Sequence, residues 1–176
     1  MRYLRVAVKD QSANALADTV ELLFFLRTPK LPDERVRQAT AVDVSADGRV
    51  DYQITGDIDG NGVSGEKDRE LLKDFANAVL RVNWLCRPPM PNRSINFYVS
   101  RFTVAGDPAE VRLDLYQNDK PMIEKQRLKF SVTACDSLGK GVMQLDDEAL
   151  PLELFDTMDL KALQSMANLY LKFNWR

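Results

Sequence analysis

The chain contains no histidine. That removes Ser-His and Cys-His nucleophile activation, the ordinary neutral-pH proton shuttle and the commonest metal ligand together. Cysteine is nearly as scarce. Cys86 and Cys135 lie far apart and in no Cys-x-x-Cys spacing, so neither a disulfide framework nor a zinc site is implied, and two plain thiols in a reducing compartment are expected. Long apolar runs are missing as well. The first residues, MRYLRVAVKD, lack the apolar stretch of a secretory signal. The longest run, Val20 to Leu26, is interrupted by Glu21 and falls far short of the roughly 20 residues that span a bilayer. A soluble, cytoplasmic protein with no membrane contact is expected. No sign of charge dominates: 24 basic and 26 acidic side chains give a net charge of −2, with no basic half, acidic tail or charge block. Bulk charge therefore does not advertise nucleic acid, though a local basic face is compatible with it. There is no phosphate-binding glycine loop and no carboxylate pair set apart for acid–base work, so an enzyme is not expected.

What the chain does have is an internal echo. Phe75 to Trp84 reads FANAVLRVNW, and Met166 to Trp175 reads MANLYLKFNW, ninety-one residues later. Extended backwards without a gap, from Gln53 to Trp84 and from Gln144 to Trp175, the match has identities at Gln53/Gln144, Asp68/Asp159, Leu72/Leu163, Ala76/Ala167, Asn77/Asn168, Leu80/Leu171, Asn83/Asn174 and Trp84/Trp175. The matching tryptophans read as plugs at the ends of two helices. The matching Asn83 and Asn174 suit a helix C-terminus, where the left-handed conformation is common.

The elements repeat in the same order. Tyr3–Lys9 and Thr19–Arg27 read as strands, the second near-continuously apolar and expected to be covered on both faces. Thr28–Glu34 is a proline break. Arg37–Thr55 reads as a hairpin turning at Asp47-Gly48. Glu66–Leu85 has a helical period, with its N-cap at Ser64 or Gly65. The proline-rich 88–94 is a linker. Strands follow at Ile95–Val104, Glu110–Gln117, Gln126–Cys135 and Gly141–Leu145, with a turn at Asn118–Pro121. A helix capped by Asp156 and Asp159 then runs to Phe173. The expected fold is α+β: a tandem duplication of a ββββα unit, with antiparallel sheets each packed by one helix about a pseudo-two-fold axis. The units are 1–87 and 95–176, and the two are allowed to form one intertwined domain.

One loop has the chemistry of a metal site. Asp57 to Asp68, DIDGNGVSGEKD, places oxygen ligands at positions 1, 3, 5 and 12 of a twelve-residue loop, with glycine at position 6 for the sharp turn. Asp57, Asp59, Asn61, the Val63 carbonyl and Asp68 are the candidate calcium ligands. With Gly56 before it and Leu71-Leu72 after it, the stretch resembles the loop-plus-helix of dockerin modules, which are EF-hand relatives. Position 8, normally apolar, is Ser64, and a strand instead of a helix leads in. The matching stretch of the second half, Asp146 to Thr157, lacks the ligands, so the site is expected in the first half alone.

Two tandem four-strand, one-helix units resemble the Whirly, Pur-alpha and mitochondrial guide-RNA-binding proteins in element order and duplication over nearly the whole chain. That resemblance implies single-stranded DNA or RNA binding across sheet faces, by stacking on aromatics and basic contacts to phosphate. The residues it singles out are Arg5, Arg49, Tyr52, Tyr98, Arg101, Arg112, Tyr116 and Arg127, with Arg2, Lys125 and Lys129 beside them. The alternative is a protein-interaction or assembly module, homo-oligomeric or with a protein partner, in which the calcium-like loop is a rigid clasp.

Overall fold

Period-two alternation of apolar residues lets a strand bury one face only, and the chain does this twice over. A computed structural model describes residues 1–88, 93–118, 127–146, 148 and 150–176. The strands are β1 (Arg2–Lys9), β2 (Thr19–Leu26), β3 (Glu34–Val42), β4 (Tyr52–Ile54), β5 (Arg93–Phe102), β6 (Pro108–Gln117), β7 (Leu128–Cys135) and β8 (Gln144–Asp146). The helices are α1 (Glu66–Val79), the four-residue α2 (Asn83–Cys86) and α3 (Thr157–Lys172). The strands form a single antiparallel sheet in the order β4-β3-β2-β1-β5-β6-β7-β8. This corrects the expectation of separate sheets: β1 and β5 pair directly, Leu4 opposite Phe97 and Val6 opposite Ile95. A free edge on each half would expose unpaired backbone groups, and joining the edges removes both.

Both long helices cover the same face. Leu4, Val6, Val20, Leu22, Phe24, Ile95, Phe97, Val111, Leu113 and Leu115 point into one buried cluster with Leu72, Phe75, Leu163 and Met166 of the helices. Phe75 meets Phe97 and Phe173 edge-on, and Phe24 meets Phe173 and Trp175. Each such side chain contributes about 1.5–3 kcal/mol by leaving water.

The ninety-one-residue echo reaches the strands. Arg5 lies opposite Asn96, and 5 + 91 = 96, so this central pair relates the two halves. The register slips between Phe24 and Phe25 on β2 and, 91 residues on, between Leu115 and Tyr116 on β6. A bulge shared at equivalent positions bends both wings of the sheet alike. The gapless match needs one correction. Gln53 lies opposite Ala41, whereas Gln144 lies opposite Cys135 and it is Leu145 that faces Ala134. The strand equivalent of Gln53 is therefore Leu145, and the 91-residue spacing resumes at the helices.

Helix termini depart from expectation too. α1 stops at Val79, and α2 begins a separate turn at Asn83. Asn174 takes the left-handed conformation, with φ of 49°; Asn83 instead opens α2. Arg93 and Ser94 belong to β5 and not to a linker; residues 89–92 of that linker, and residues 119–121 of the expected turn, lie outside the described residues. β3 begins at Glu34, within the stretch read as a proline break, while β4 is only three residues long.

Candidate functional site

Among the described residues no helix lies on the sheet's second face. Alternation places Tyr3, Arg5 and Lys9 there from β1, Glu21, Leu23 and Phe25 from β2, Ser94, Asn96 and Tyr98 from β5, and Glu110, Arg112, Asp114 and Tyr116 from β6. Leu23 and Phe25 are half-buried. The second face of β2 is thus shielded by neighbouring side chains instead of by another layer. Phe25 stacks on Tyr3 at 5.1 Å, and the Arg5 guanidinium lies 4.9 Å over the Phe25 ring.

Two polar clusters flank the centre. In the first half the Tyr3 hydroxyl donates to Asp33 Oδ2 at 2.7 Å, and Arg27 grips both Asp33 oxygens at 2.9 and 2.7 Å. Those bonds from Arg27, joined by the Tyr3 hydroxyl, hold the Asp33 carboxyl below its usual range despite partial burial. Burial, then the bond to Asp33, pushes the Tyr3 phenol up to about 12. In the second half Asp114 accepts from Ser131 Oγ at 2.7 Å, Arg112 Nε at 2.9 Å and the Tyr98 hydroxyl at 3.1 Å. Burial and the Asp114 charge push Tyr98 up to about 12 as well. Tyr116 is raised by burial and Asp114, against the opposing pull of Arg27, Arg5 and Arg112. Ser94, Asn96 and Asp114 are 4%, 5% and 7% exposed, so the middle of this face is a polar floor under long side chains.

Of the residues singled out from sequence, Arg5, Tyr98, Arg112 and Tyr116 come together on the four central strands. Arg101 lies at the far end of β5, 3.6 Å from Glu110. Arg49 sits exposed in the β3–β4 turn, and Tyr52, 58% exposed, is on the edge strand β4. Arg127 precedes β7, its amide donating to Asn118 Oδ1. Lys129 is exposed on β7, and Lys125 lies outside the described residues. Arg2 lies over the Trp175 ring at 4.9 Å, and its equivalent Arg93 lies over Trp84 at 5.1 Å; both serve the end-plugs. Sequence reasoning missed Tyr3, Phe25, Arg27, Asp33, Asn96 and Asp114. The parity of Arg5 would have found Tyr3, but the apolar run of β2 hid which of its rings face away from the core.

The acidic loop is the second cluster. Carboxylate oxygens of Asp57, Asp59 and Asp68 lie within 4.8 Å of one another. Asp57 accepts from the amides of Gly60, Asn61 and Gly62 at 2.8, 3.0 and 2.8 Å. Desolvation, the largest single influence, raises the Asp57 carboxyl, but these bonds together outweigh it and lower it. Asp59 and Asn61 bond the amides of Asn61 and Val63. Gly62, at φ of 89°, makes the turn where a side chain would strain the backbone. Asp68 has a helix-capping role independent of metal: it accepts from Ile58, Asp59 and Gly65 amides, and Asp159 does the like for Asn83 and Asp156 in the half without the loop. The three clustered carboxylates are oxygen donors of the kind a hard cation such as calcium takes.

Neither thiol is activated. Burial pushes Cys86 up to about 12, and burial with Glu110 beside it raises Cys135. No described helix is long and apolar enough to cross a membrane. No family model, curated protein or solved structure matches the chain.

Proposed function

We propose that the protein is a non-enzymatic binding protein that receives single-stranded nucleic acid on the helix-free face of its sheet. The observation that carries this reading is the grouping of half-buried Phe25, Tyr98 and Tyr116, with the buried Tyr3 stacked on Phe25, beside Arg5, Arg27 and Arg112 on one face of the sheet. Eight strands at about 4.8 Å make that face roughly 34 Å wide, room for several nucleotides. The half-buried rings of Phe25, Tyr98 and Tyr116 are the ones placed to stack on bases, and guanidinium groups reach phosphate. The equivalent registers, bulges and tryptophans further support an origin by tandem duplication of a ββββα unit. Equivalent positions on the core side keep their character: Leu4/Ile95, Val20/Val111, Leu22/Leu113. On the other face they diverge: Tyr3/Ser94, Glu21/Arg112, Leu23/Asp114. A surface free to diverge while the core is held is where a binding function settles. Fluorescence anisotropy with labelled ten-nucleotide DNA and RNA strands tests the reading. Binding that weakens steeply between 50 and 200 mM salt is expected in order of magnitude; no binding at the lower salt overturns it.

A second reading, an assembly module braced by calcium, is favoured by the Asp57–Asp59–Asp68 grouping. Calcium would there neutralise three clustered carboxylates and rigidify the approach to α1. At a hundredfold excess over its dissociation constant it would add about 2.7 kcal/mol. The melting temperature should rise with calcium and not in the Asp57→Ala/Asp59→Ala variant. An unchanged melting temperature in the native protein removes the reading.

A further inference from the structure

Cations crowd the helix-free face, yet most are already compensated. Among the described residues four ion pairs occur: Lys9–Glu21, Arg27–Asp33, Arg101–Glu110 and Arg112–Asp114. All four lie on or beside this face. A cation that gives up a carboxylate for a phosphate gains little, because the abandoned carboxylate then repels the incoming strand. Such residues contribute to net attraction only weakly.

Arg5 differs. Its Nε donates to Asn96 Oδ1 at 3.4 Å and its terminal nitrogen to the Tyr3 hydroxyl at 3.4 Å, both neutral acceptors and both long. Its guanidinium lies 4.9 Å over the Phe25 ring and 5.8 Å from the Tyr3 ring centre. No carboxylate among the described residues is within ion-pair distance of it. Asp33, whose carboxyl also feels the Arg5 charge, is bonded by Arg27 and Tyr3. Arg5 also stands on the central strand pair, opposite its own equivalent, Asn96. Ser94 and Asn96 beside it are uncharged, and Asp114, opposite Asn96 on β6, is held by Arg112, Ser131 and Tyr98. An anion approaching the middle of the sheet therefore meets the Arg5 charge, oriented by two aromatic rings and bonded only to neutral acceptors; the exposed Arg35, opposite Phe25, stands two strands further out.

We propose that Arg5 is the phosphate seat of this face: it takes one backbone phosphate at the centre of the sheet, while the paired cations around it position the strand without adding to the counterion count. This rests on the nucleic-acid reading above. The chemistry recognised is a phosphodiester, with no base identity implied.

The test is the salt dependence of binding to a ten-nucleotide oligothymidylate. In single strands each neutralised phosphate adds about 0.7 to the slope of log affinity against log salt. Arg5→Met, which keeps an apolar stem over Phe25, should lower the slope by about 0.7 and weaken binding at least fivefold at low salt. Arg5→Lys should keep the native slope. Lys9→Gln, on the same face but from an ion pair, should leave the slope unchanged. A native slope in Arg5→Met, or an equal loss in Lys9→Gln, overturns the proposal. If Arg5→Met does not fold, phenylglyoxal labelling of the native protein decides the matter: Arg5 should be protected by the bound strand, and labelling at its free rate in the complex overturns the assignment. Absence of binding by the native protein is a different result, which removes the nucleic-acid reading itself.

Discussion

Asn77 and Asn168 are identical residues at equivalent places, but they are not tied down equally. Asn77 accepts one bond, from the Val50 amide at 2.8 Å. Asn168 accepts from the Met143 amide and donates to the Met143 and Gln164 carbonyls, each at 2.9 Å. A lost bond costs about 1 kcal/mol, more where a buried partner is stranded. Asn77→Ala should therefore cost about 1 kcal/mol and Asn168→Ala about 2–3 kcal/mol, read from urea midpoints at constant slope. Asn168→Asp, which keeps the acceptor and loses both donors, should fall between native and Asn168→Ala. The tyrosines make a pH prediction. Tyr3 and Tyr98 titrate near 12 in the folded chain, above the ordinary value of 10.0. Their folded-state contribution is complete below pH 10 and is lost as pH rises through 12, because the unfolded chain ionises first. Stability should decline over that window, and tyrosinate absorbance should lag behind that of the unfolded protein. A tyrosinate signal from these residues centred at pH 10 in the folded state would contradict the cluster geometry.

The helices and their plugs hold the two halves crosswise. Asn83, just past α1, donates to Asp159 and Asp156 at the start of α3, at 2.6 and 3.3 Å. Asn174, just past α3, donates to the Asp59 carbonyl before α1. Trp175 packs on Phe24 and donates its indole N–H to the Tyr3 carbonyl, while Trp84 packs on Phe130 and Phe155. Each tryptophan thus plugs the half to which it does not belong. Trp84→Ala and Trp175→Ala should each cost about 3–5 kcal/mol, measured by thermal or urea unfolding; a loss under about 1 kcal/mol would mean the ring lies outside the core. This part of the fold was legible in sequence because helix period, caps and echo agree there: Asp156 and Asp159 form a capping box, and Gly65 caps α1 as its position suggests. The crosswise exchange was not legible. A repeat in one chain looks alike whether its halves lie side by side or interlock, since residues such as Trp84 carry no mark of which half they touch. Half of the candidate face was hidden for a related reason. Leu23 and Phe25 sit in an unbroken apolar run, and only the sheet's pairing separates their face from that of Leu22 and Phe24.

At the scale of the whole molecule, the single sheet makes neither half self-sufficient. A fragment ending at Pro88 keeps β1 to β4, α1 and α2, but it leaves the β1 edge open where β5 paired and loses Trp175 from against Phe24. An open central edge with an apolar face recruits another strand. The available partner is a second copy, and the symmetry of the full chain fixes how it would pair. Because the 91-residue spacing carries Arg5 onto Asn96, its opposite number, a two-fold dimer of the fragment would set Arg5 against Arg5. Like charges directly opposed destabilise such a pair by about 0.2–1 kcal/mol. In the full chain Asn96 removes that conflict and accepts a bond from Arg5 instead. The fragment should therefore self-associate weakly, and Arg5→Asn within it, restoring an uncharged central pair, should tighten the dimer by up to about fivefold, the change in equilibrium that such an energy produces. Sedimentation equilibrium over a concentration series gives both constants. If the native fragment dimerises as tightly as the Arg5→Asn form, its strands pair in another register, and the central pair is not what keeps the two halves of this chain unlike.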